Sequence, residues 1–296
     1  MKKNKNKKLP LVSIILNCYN SAKFLKKSIN SVIAQSYENW ELIIFDNFSN
    51  DNTELEILKF KKNKKIRYFK SKKLFNLYHA RNLAIKKTKG SLITFLDADD
   101  WWLKDKLKLQ VRYLDQNKDS NIVYSNLFLF YEKRNKIKLF SKENLYNGYI
   151  TQSLLDDFKM PILTTMIRKK IFLKNKFDKK SNIIGDFDFF IRISLKEKIY
   201  SIQEPLAYYR IHESNMTTKK IDLNIRELER WISKNRKNYK FKNYNFLNIK
   251  KLIRTLKVKN NFISGNKIKA IISLFKKPFN PNNLKYLLFL FLFKKY

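Results

Sequence analysis

Residues 12–16 are aliphatic and β-branched apart from Ser13, the pattern of a strand buried on both faces. A helical stripe follows over 24–34, with Phe24, Leu25, Ile29, Val32 and Ile33 falling on one side. Residues 40–45 read as a second strand that closes on the polar turn 46–52, and 66–69 as a short third. The spacing predicts a helix over 77–87, where Ala80, Leu83 and Ala84 are small packing residues and Gly90 is expected to cap the C-terminus. Residues 92–96 are a fourth strand, with a helix expected to start near Leu103. Such βαβα order predicts an α/β fold: a mostly parallel, Rossmann-like sheet flanked by helices. Sites in open sheets of this kind lie beyond the carboxyl ends of the strands. Residues 17–20, 46–52 and 97–100 all occupy such ends and should converge on one cleft.

The tip of the fourth strand carries the most telling chemistry. Asp97, Asp99 and Asp100 crowd into four residues of a chain with 64 Lys+Arg and only 25 Asp+Glu. Like charges repel and raise one another's pKa unless a cation stands among them. A hard divalent ion that also grips a phosphate is one such cation, since Mg²⁺ takes one or two carboxylates plus phosphate oxygens. Capping of the following helix explains one of the three acids, and Asp100 is the expected cap.

Composition bounds the rest. A chain of 296 residues with 44% hydrophobic content can build one large domain plus a smaller appendage. The net charge of +39 favours anionic surroundings: lipid head groups, phosphorylated substrates or nucleic acid. The basic residues are spread throughout with no recognition module, so nucleic acid is not expected as a partner. Cys18 is the only cysteine, which excludes an internal disulfide and a multi-Cys metal site. The apolar stretch 9–16 lacks a small-residue cleavage site, and 284–293 is too short to span a bilayer, so neither export nor a transmembrane helix is expected.

An ordered set of motifs then becomes specific. Val12-Ser13-Ile14-Ile15-Leu16-Asn17-Cys18-Tyr19-Asn20, Gln35-Ser36-Tyr37-Glu38-Asn39-Trp40, Asp46-Asn47-Phe48-Ser49-Asn50-Asp51, Ala80-Arg81-Asn82 and Leu96-Asp97-Ala98-Asp99-Asp100 together resemble the nucleotide-binding half of family 2 glycosyltransferases. The resemblance runs over 11–216 and implies the GT-A fold, a nucleotide-sugar donor, a divalent metal (Mn²⁺ or Mg²⁺) and inversion at the anomeric carbon. It implies that Cys18, Tyr19 and Asn20 border the nucleoside. Asn17 and Cys18 stand where the family usually has Pro and Thr, so any contact at Cys18 falls to its backbone. Asp46 would accept from the base, Arg81 would lie near the base or diphosphate, and Asp97 and Ala98 would line the donor beside Asp99 on the metal.

The acceptor side follows from the same resemblance. Ile184-Gly185-Asp186-Phe187-Asp188 matches the family's acid-rich segment at a helix start, and Asp186 aligns with the general base. Asp188 is the rival, set between Phe187 and Phe189 as on a helix wall, and Arg192 is expected to order these acids. His212, within Tyr208-Tyr209-Arg210-Ile211-His212-Glu213-Ser214-Asn215-Met216, would complete the metal site with Asp99. His79 reads as a surface or substrate-edge residue. Of Trp101 and Trp102, at least one is expected in the core. The predicted organisation is a basic arm (1–10), a GT-A domain (11–220, with a nucleotide-sugar half 11–102 and an acceptor half 103–220) and a helical, basic extension (221–296). Amphipathic 252–258 and 268–275 and the apolar 284–293 would give that tail a face for anionic membrane. The implied activity extends a glycan or lipid-linked glycan of a bacterial surface polysaccharide at the inner face of the cytoplasmic membrane. The competing reading is a basic nucleic-acid- or membrane-binding protein without transferase activity.

Overall fold

The computed structural model describes residues 9–266, so the basic arm through Lys8, the stretch 268–275 and the apolar 284–293 lie outside the described residues. The chain divides into two units, Met1–Asn215 and Met216–Tyr296.

The first unit alternates strands and helices as the hydrophobic pattern dictates. In order these are β1 (Val12–Cys18), α1 (Ala22–Ile33), β2 (Trp40–Asp46), α2 (Thr53–Leu58), β3 (Ile66–Lys70), α3 (Leu77–Ile85) and β4 (Leu92–Asp97). Then come β5 (Trp101–Trp102), α4 (Lys106–Gln116), β6 (Ile122–Tyr131), β7 (Lys136–Leu139), α5 (Thr151–Asp156), β8 (Met166–Arg168), α6 (Lys170–Lys174), α7 (Gly185–Ser194) and β9 (Ile199–Ile211). One sheet has the order β3-β2-β1-β4-β8-β6-β9-β5, with β7 paired to β6. The strands β3, β2, β1 and β4 are parallel, and the sheet beyond β8 is mixed. Every residue of β1 and β2 is buried, which is why both read as unbroken apolar runs.

One face of β1 places Val12, Ile14 and Leu16 against Leu25, Ile29 and Val32 of α1, all with no exposed surface. Each such side chain contributes roughly 1.5–3 kcal/mol relative to exposure. On α4 the buried face includes two polar residues, Lys106 and Gln110. The Lys106 Nζ donates to Thr94 Oγ1 (3.0 Å) and Gln110 Oε1 (2.7 Å) and lies 4.1 Å from the centre of the Trp102 ring. Burial pushes this ammonium well below the usual lysine range.

Two expectations are corrected here. Helix α3 ends at Ile85 and Gly90 caps nothing; a Cβ there would stand 2.5 Å from the Leu11 carbonyl, so glycine is needed for close approach to β1. Asp100 does not cap the next helix: β5 intervenes, α4 starts at Lys106, and Asp105 takes the N-cap position. The second unit holds α8 (Met216–Lys219), α9 (Ile221–Arg236) and α10 (Leu247–Ile263). Its core is aromatic, with Trp231 5.7 Å from Phe241 and 5.6 Å from Phe246, and α10 contains the amphipathic 252–258. Among the described residues no helix is long and apolar enough to cross a membrane.

Candidate active site

The tips of β1, β2 and β4 do meet. Asn17 is in register with Phe45 on one side and Asp97 on the other. Its side-chain amide is buried with neither polar atom partnered, an uncommon state for a buried amide. Cys18 turns into the core, where its thiol points at the Phe45 carbonyl (3.8 Å) and burial raises its pKa well above the ordinary value. Tyr19 (47% exposed) and Asn20 open outward instead. Asp46 has no exposed surface: its Oδ1 accepts from the Ser49 N–H (2.8 Å) and its Oδ2 from the Tyr68 hydroxyl (3.1 Å). The turn so held places Phe48 at φ 73° and 48% exposed. A left-handed backbone at a bulky residue costs about 1–2 kcal/mol, and such strain clusters at ligand sites.

Residues 97–100 form a pinned turn. Ser28 Oγ lies 2.7 Å from the Ala98 carbonyl and 2.5 Å from the Asp100 carbonyl, and Arg210 Nε donates to the Asp99 carbonyl (2.8 Å). With the backbone oxygens engaged, the carboxylates diverge. Asp97 pairs with Arg81 (2.5 Å), whose side chain is almost fully buried. Asp99 Oδ2 stands 2.9 Å from His212 Nε2. Asp100 Oδ1 accepts the Arg210 N–H (2.7 Å), while its Oδ2 is buried without a partner. Burial raises the pKa of both Asp97 and Asp100; Arg81 pulls Asp97 back down, whereas the charges on Asp99 and Asp97 push Asp100 further up.

Asp186 stands in the first turn of α7, close enough to Asp97 to feel its charge. Its Oδ1 is 3.1 Å from the Tyr78 hydroxyl and accepts the Phe187 N–H (2.8 Å). Burial raises its pKa, opposed by the Arg81 charge and by the two hydrogen bonds. Gly185 makes the approach possible, since a Cβ there would meet the Tyr78 ring at 2.3 Å. Asp188 takes a different role: Arg192 binds it through Nε (2.9 Å) and Nη2 (2.8 Å), an i,i+4 pair along α7. Arg192 therefore orders Asp188 and leaves Asp186 to Tyr78.

Asp186, Arg81 and Asp97 thus interact electrostatically, with the Arg81 charge felt by both Asp97 and Asp186, and Asp99 pairs with His212. The Cys18 side chain is buried, the Ala98 carbonyl is held by Ser28, and His79 packs on Phe75 (4.5 Å between ring centres). Trp102 is core, its Nε1 donating to the Leu163 carbonyl (3.1 Å), and Trp101 stacks on Tyr208 (4.8 Å). Tyr78, Phe48, the Arg210 contacts and the Asn215 side-chain amide, 3.5 Å from Asp99 Oδ2, were not foreseen. Arg210 and Asn215 lie inside the recognised 208–216 segment, but nothing in a lone sequence marks Tyr78.

Among the described residues no group of three or more His, Cys, Asp or Glu side chains is gathered for a metal. Asp99 and His212 nevertheless offer one oxygen and one nitrogen donor, with the orphaned Asp100 Oδ2 nearby. A two-residue donor set fits an ion that takes its remaining ligands from phosphate and water.

Residues 13–196 match the family described as "Glycosyl transferase family 2". An uncharacterised glycosyltransferase of Methanocaldococcus jannaschii is 32% identical over 206 residues, covering 68% of this chain and 71% of that protein. The chain belongs to glycosyl transferase family 2. It spans less of other relatives of this transferase: 29% of an uncharacterised glycosyltransferase of Rickettsia bellii, 31% identical over 208 residues and 70% of this chain. The Escherichia coli enzyme UDP-Glc:alpha-D-GlcNAc-diphosphoundecaprenol beta-1,3-glucosyltransferase WfgD is 39% identical over 116 residues, 39% of this chain and 45% of its own. The family 2 transferase shares the GT-A fold of solved structures at low identity. The mannosyltransferase PcManGT of Pyrobaculum calidifontis, in complex with GDP-Man and Mn²⁺, gives a TM-score of 0.63 at 14% identity, over 96% of this chain and 81% of that one. S. aureus TarS with UDP-GlcNAc gives 0.59 at 14%, over 84% and 72%.

Proposed function

We propose that this family 2 transferase moves a sugar, with inversion, from a nucleotide-sugar donor of the UDP type to a hydroxyl of a glycan or lipid-linked glycan, with Asp186 as general base. The observation that carries the reading is the setting of Asp186: a buried carboxylate with raised pKa that accepts from Tyr78 and feels the charges of Arg81 and Asp97, while Asp99 pairs separately with His212. Inverting transfer needs a base facing the acceptor hydroxyl and a separate place for the departing diphosphate. Tyr19, Asn20 and the turn held by Asp46 border the nucleoside, and Arg81 fixes Asp97 at the donor. Asp99 and His212 would hold Mn²⁺ or Mg²⁺, which supplies neutralising charge for the diphosphate. Tyr78 orients Asp186, and Phe187 N–H holds the same oxygen, so the other oxygen is the one that takes the acceptor proton.

The names of WfgD, TarS and PcManGT support UDP- or GDP-linked donors, and WfgD's name a diphosphoundecaprenol-linked acceptor, as the class to test. A surface-polysaccharide role at the cytoplasmic side of the membrane fits that acceptor chemistry. The test is thermal shift with a panel of nucleotide sugars, with and without Mn²⁺, followed by transfer assays with the donor that responds. Stabilisation by at least one donor is expected; no response to any donor overturns the reading.

A further inference from the structure

Outside the donor cleft, one face of the sheet carries two continuous rows of side chains. Trp101, Tyr208, Phe128 and Leu139 are register partners across β5, β9, β6 and β7, and Arg210, Phe130 and Ile137 form the adjacent row. The rows start at half-buried Trp101 and buried Arg210 and end exposed, with Ile137 at 52% and Leu139 at 38%. Strand β7 is a short edge, Lys-Ile-Lys-Leu, exposed at all four positions. Exposed aliphatic residues on an unpaired edge are a liability unless something covers them.

The N-terminal half of α1 lies over the same face. Lys23, Lys26 and Lys27 share one side of the helix and line an open pocket of about 480 Å³ with Phe24, Glu132 and Arg210. Among the described residues Glu132 is the carboxylate paired with these side chains, accepting Arg210 (3.1 Å) and standing 3.6 Å from Lys23, while the Asp100 charge also acts on Arg210. Lys27 instead sits 3.3 Å from the centre of the Trp101 ring and 5.5 Å from that of Phe130, with the Arg210 charge beside it. The cluster is short of anions, and the apolar rows beside it are short of cover.

We propose that this face docks the chain on a bilayer containing anionic phospholipid. Lys26 and Lys27 meet lipid phosphates, and Ile137 and Leu139 enter the boundary between head groups and acyl chains, with Trp101 and Tyr208 at the level where amphipathic rings settle. A free phosphate would satisfy the lysines but would leave the apolar edge unused, which is why the occupant is the lipid surface. Docking does not depend on the transferase reading, and its test uses no sugar nucleotide. Arg210 also holds the Asp99 carbonyl, so the docked face adjoins the donor turn.

The experiment is co-sedimentation of the full chain with vesicles of phosphatidylglycerol and phosphatidylcholine, against phosphatidylcholine alone. Lys26→Gln with Lys27→Gln should weaken partitioning about fivefold per lysine. Ile137→Ser with Leu139→Ser should weaken it at unchanged charge, with unchanged far-UV circular dichroism. Lys61→Gln with Lys62→Gln, exposed lysines elsewhere, is the matched control and should change it far less. An equal loss in that control assigns binding to diffuse charge and overturns the proposal. So does vesicle binding indifferent to the serine pair while short duplex DNA binding falls with Lys26 and Lys27. Pyrophosphate should not displace the protein at matched ionic strength; full displacement would make the site one for free phosphate.

Discussion

The Tyr78 hydroxyl stands 3.1 Å from an Asp186 carboxylate oxygen, and Gly185, the residue before that aspartate, is the only type that lets the Tyr78 ring lie so close. The carboxylate proposed as base, the hydroxyl that holds it and the gap that admits that hydroxyl are therefore set by three residues on two helices. Asp186→Asn should keep donor binding by thermal shift and lower transfer by roughly 10²–10⁴, the usual worth of a positioned base. Transfer at the wild-type rate in that variant would remove Asp186 from the mechanism.

The pH profile carries the same assignment. Burial raises the Asp186 pKa above the ordinary aspartate value, and a base must be ionised to act, so activity should fall as pH drops through that raised value. The Tyr78 hydrogen bond favours the ionised form. Tyr78→Phe should therefore shift the acid limb of kcat/KM to higher pH. An acid limb that does not move would show that Tyr78 does not tune this group.

Gly185→Ala places a methyl group 2.3 Å from the Tyr78 ring. Overpacking of this kind costs about 1–3 kcal/mol, and the ring has buried neighbours on its other side. Chemical denaturation should show that loss, and the surviving folded fraction should turn over more slowly. Gly185→Ala combined with Tyr78→Leu should regain stability without regaining the wild-type acid limb.

Asp99→Ala should abolish the Mn²⁺-dependent part of nucleotide stabilisation. His212→Ala should weaken it about tenfold or more, as expected for loss of one donor in a two-residue set. Thermal shift across a Mn²⁺ titration reads both. Identical Mn²⁺ dependence in wild type and the two variants would place the ion elsewhere.

Lys106 makes a prediction about stability alone. Its pKa is lowered in the folded state, so between that lowered value and the unfolded one the unfolded chain binds more protons, and stability rises with pH across that window. Lys106→Met removes this dependence. The variant's stability relative to wild type should be most favourable at low pH and decline as pH rises towards the ordinary lysine range. Urea unfolding at neutral and alkaline pH measures the slope.

Much of the nucleotide half was legible because burial on both faces writes a strand as an uninterrupted apolar run, as at β1, β2 and β4. Helix α2 was not foreseen, because it is six residues long and only Thr53 and Ile57 are buried. The antiparallel insertion of β8 between β4 and β6 depends on contacts far apart in sequence, which no local period records. The site divides in the same way. Asp97, Asp99 and Asp186 stood out as acids in a basic chain, whereas Tyr78 is one aromatic among many until α7 is folded against it. The expectations for Gly90 and Asp100 failed for one physical reason: a local capping rule was outweighed by a contact to a distant segment, Leu11 and Ser13 for the glycine and Arg210 for the aspartate.

The pinning of residues 98–100 by Ser28 and Arg210 has a thermodynamic meaning. Ordering of this turn is completed during folding, so it takes nothing from the entropy of donor capture. If the donor contacts this turn as proposed, none of that contact free energy would be spent on ordering the turn. Loosening the turn through Ser28→Ala would move that ordering into the binding step. Affinity would fall and the binding entropy would become less favourable, although Ser28 itself has no exposed surface.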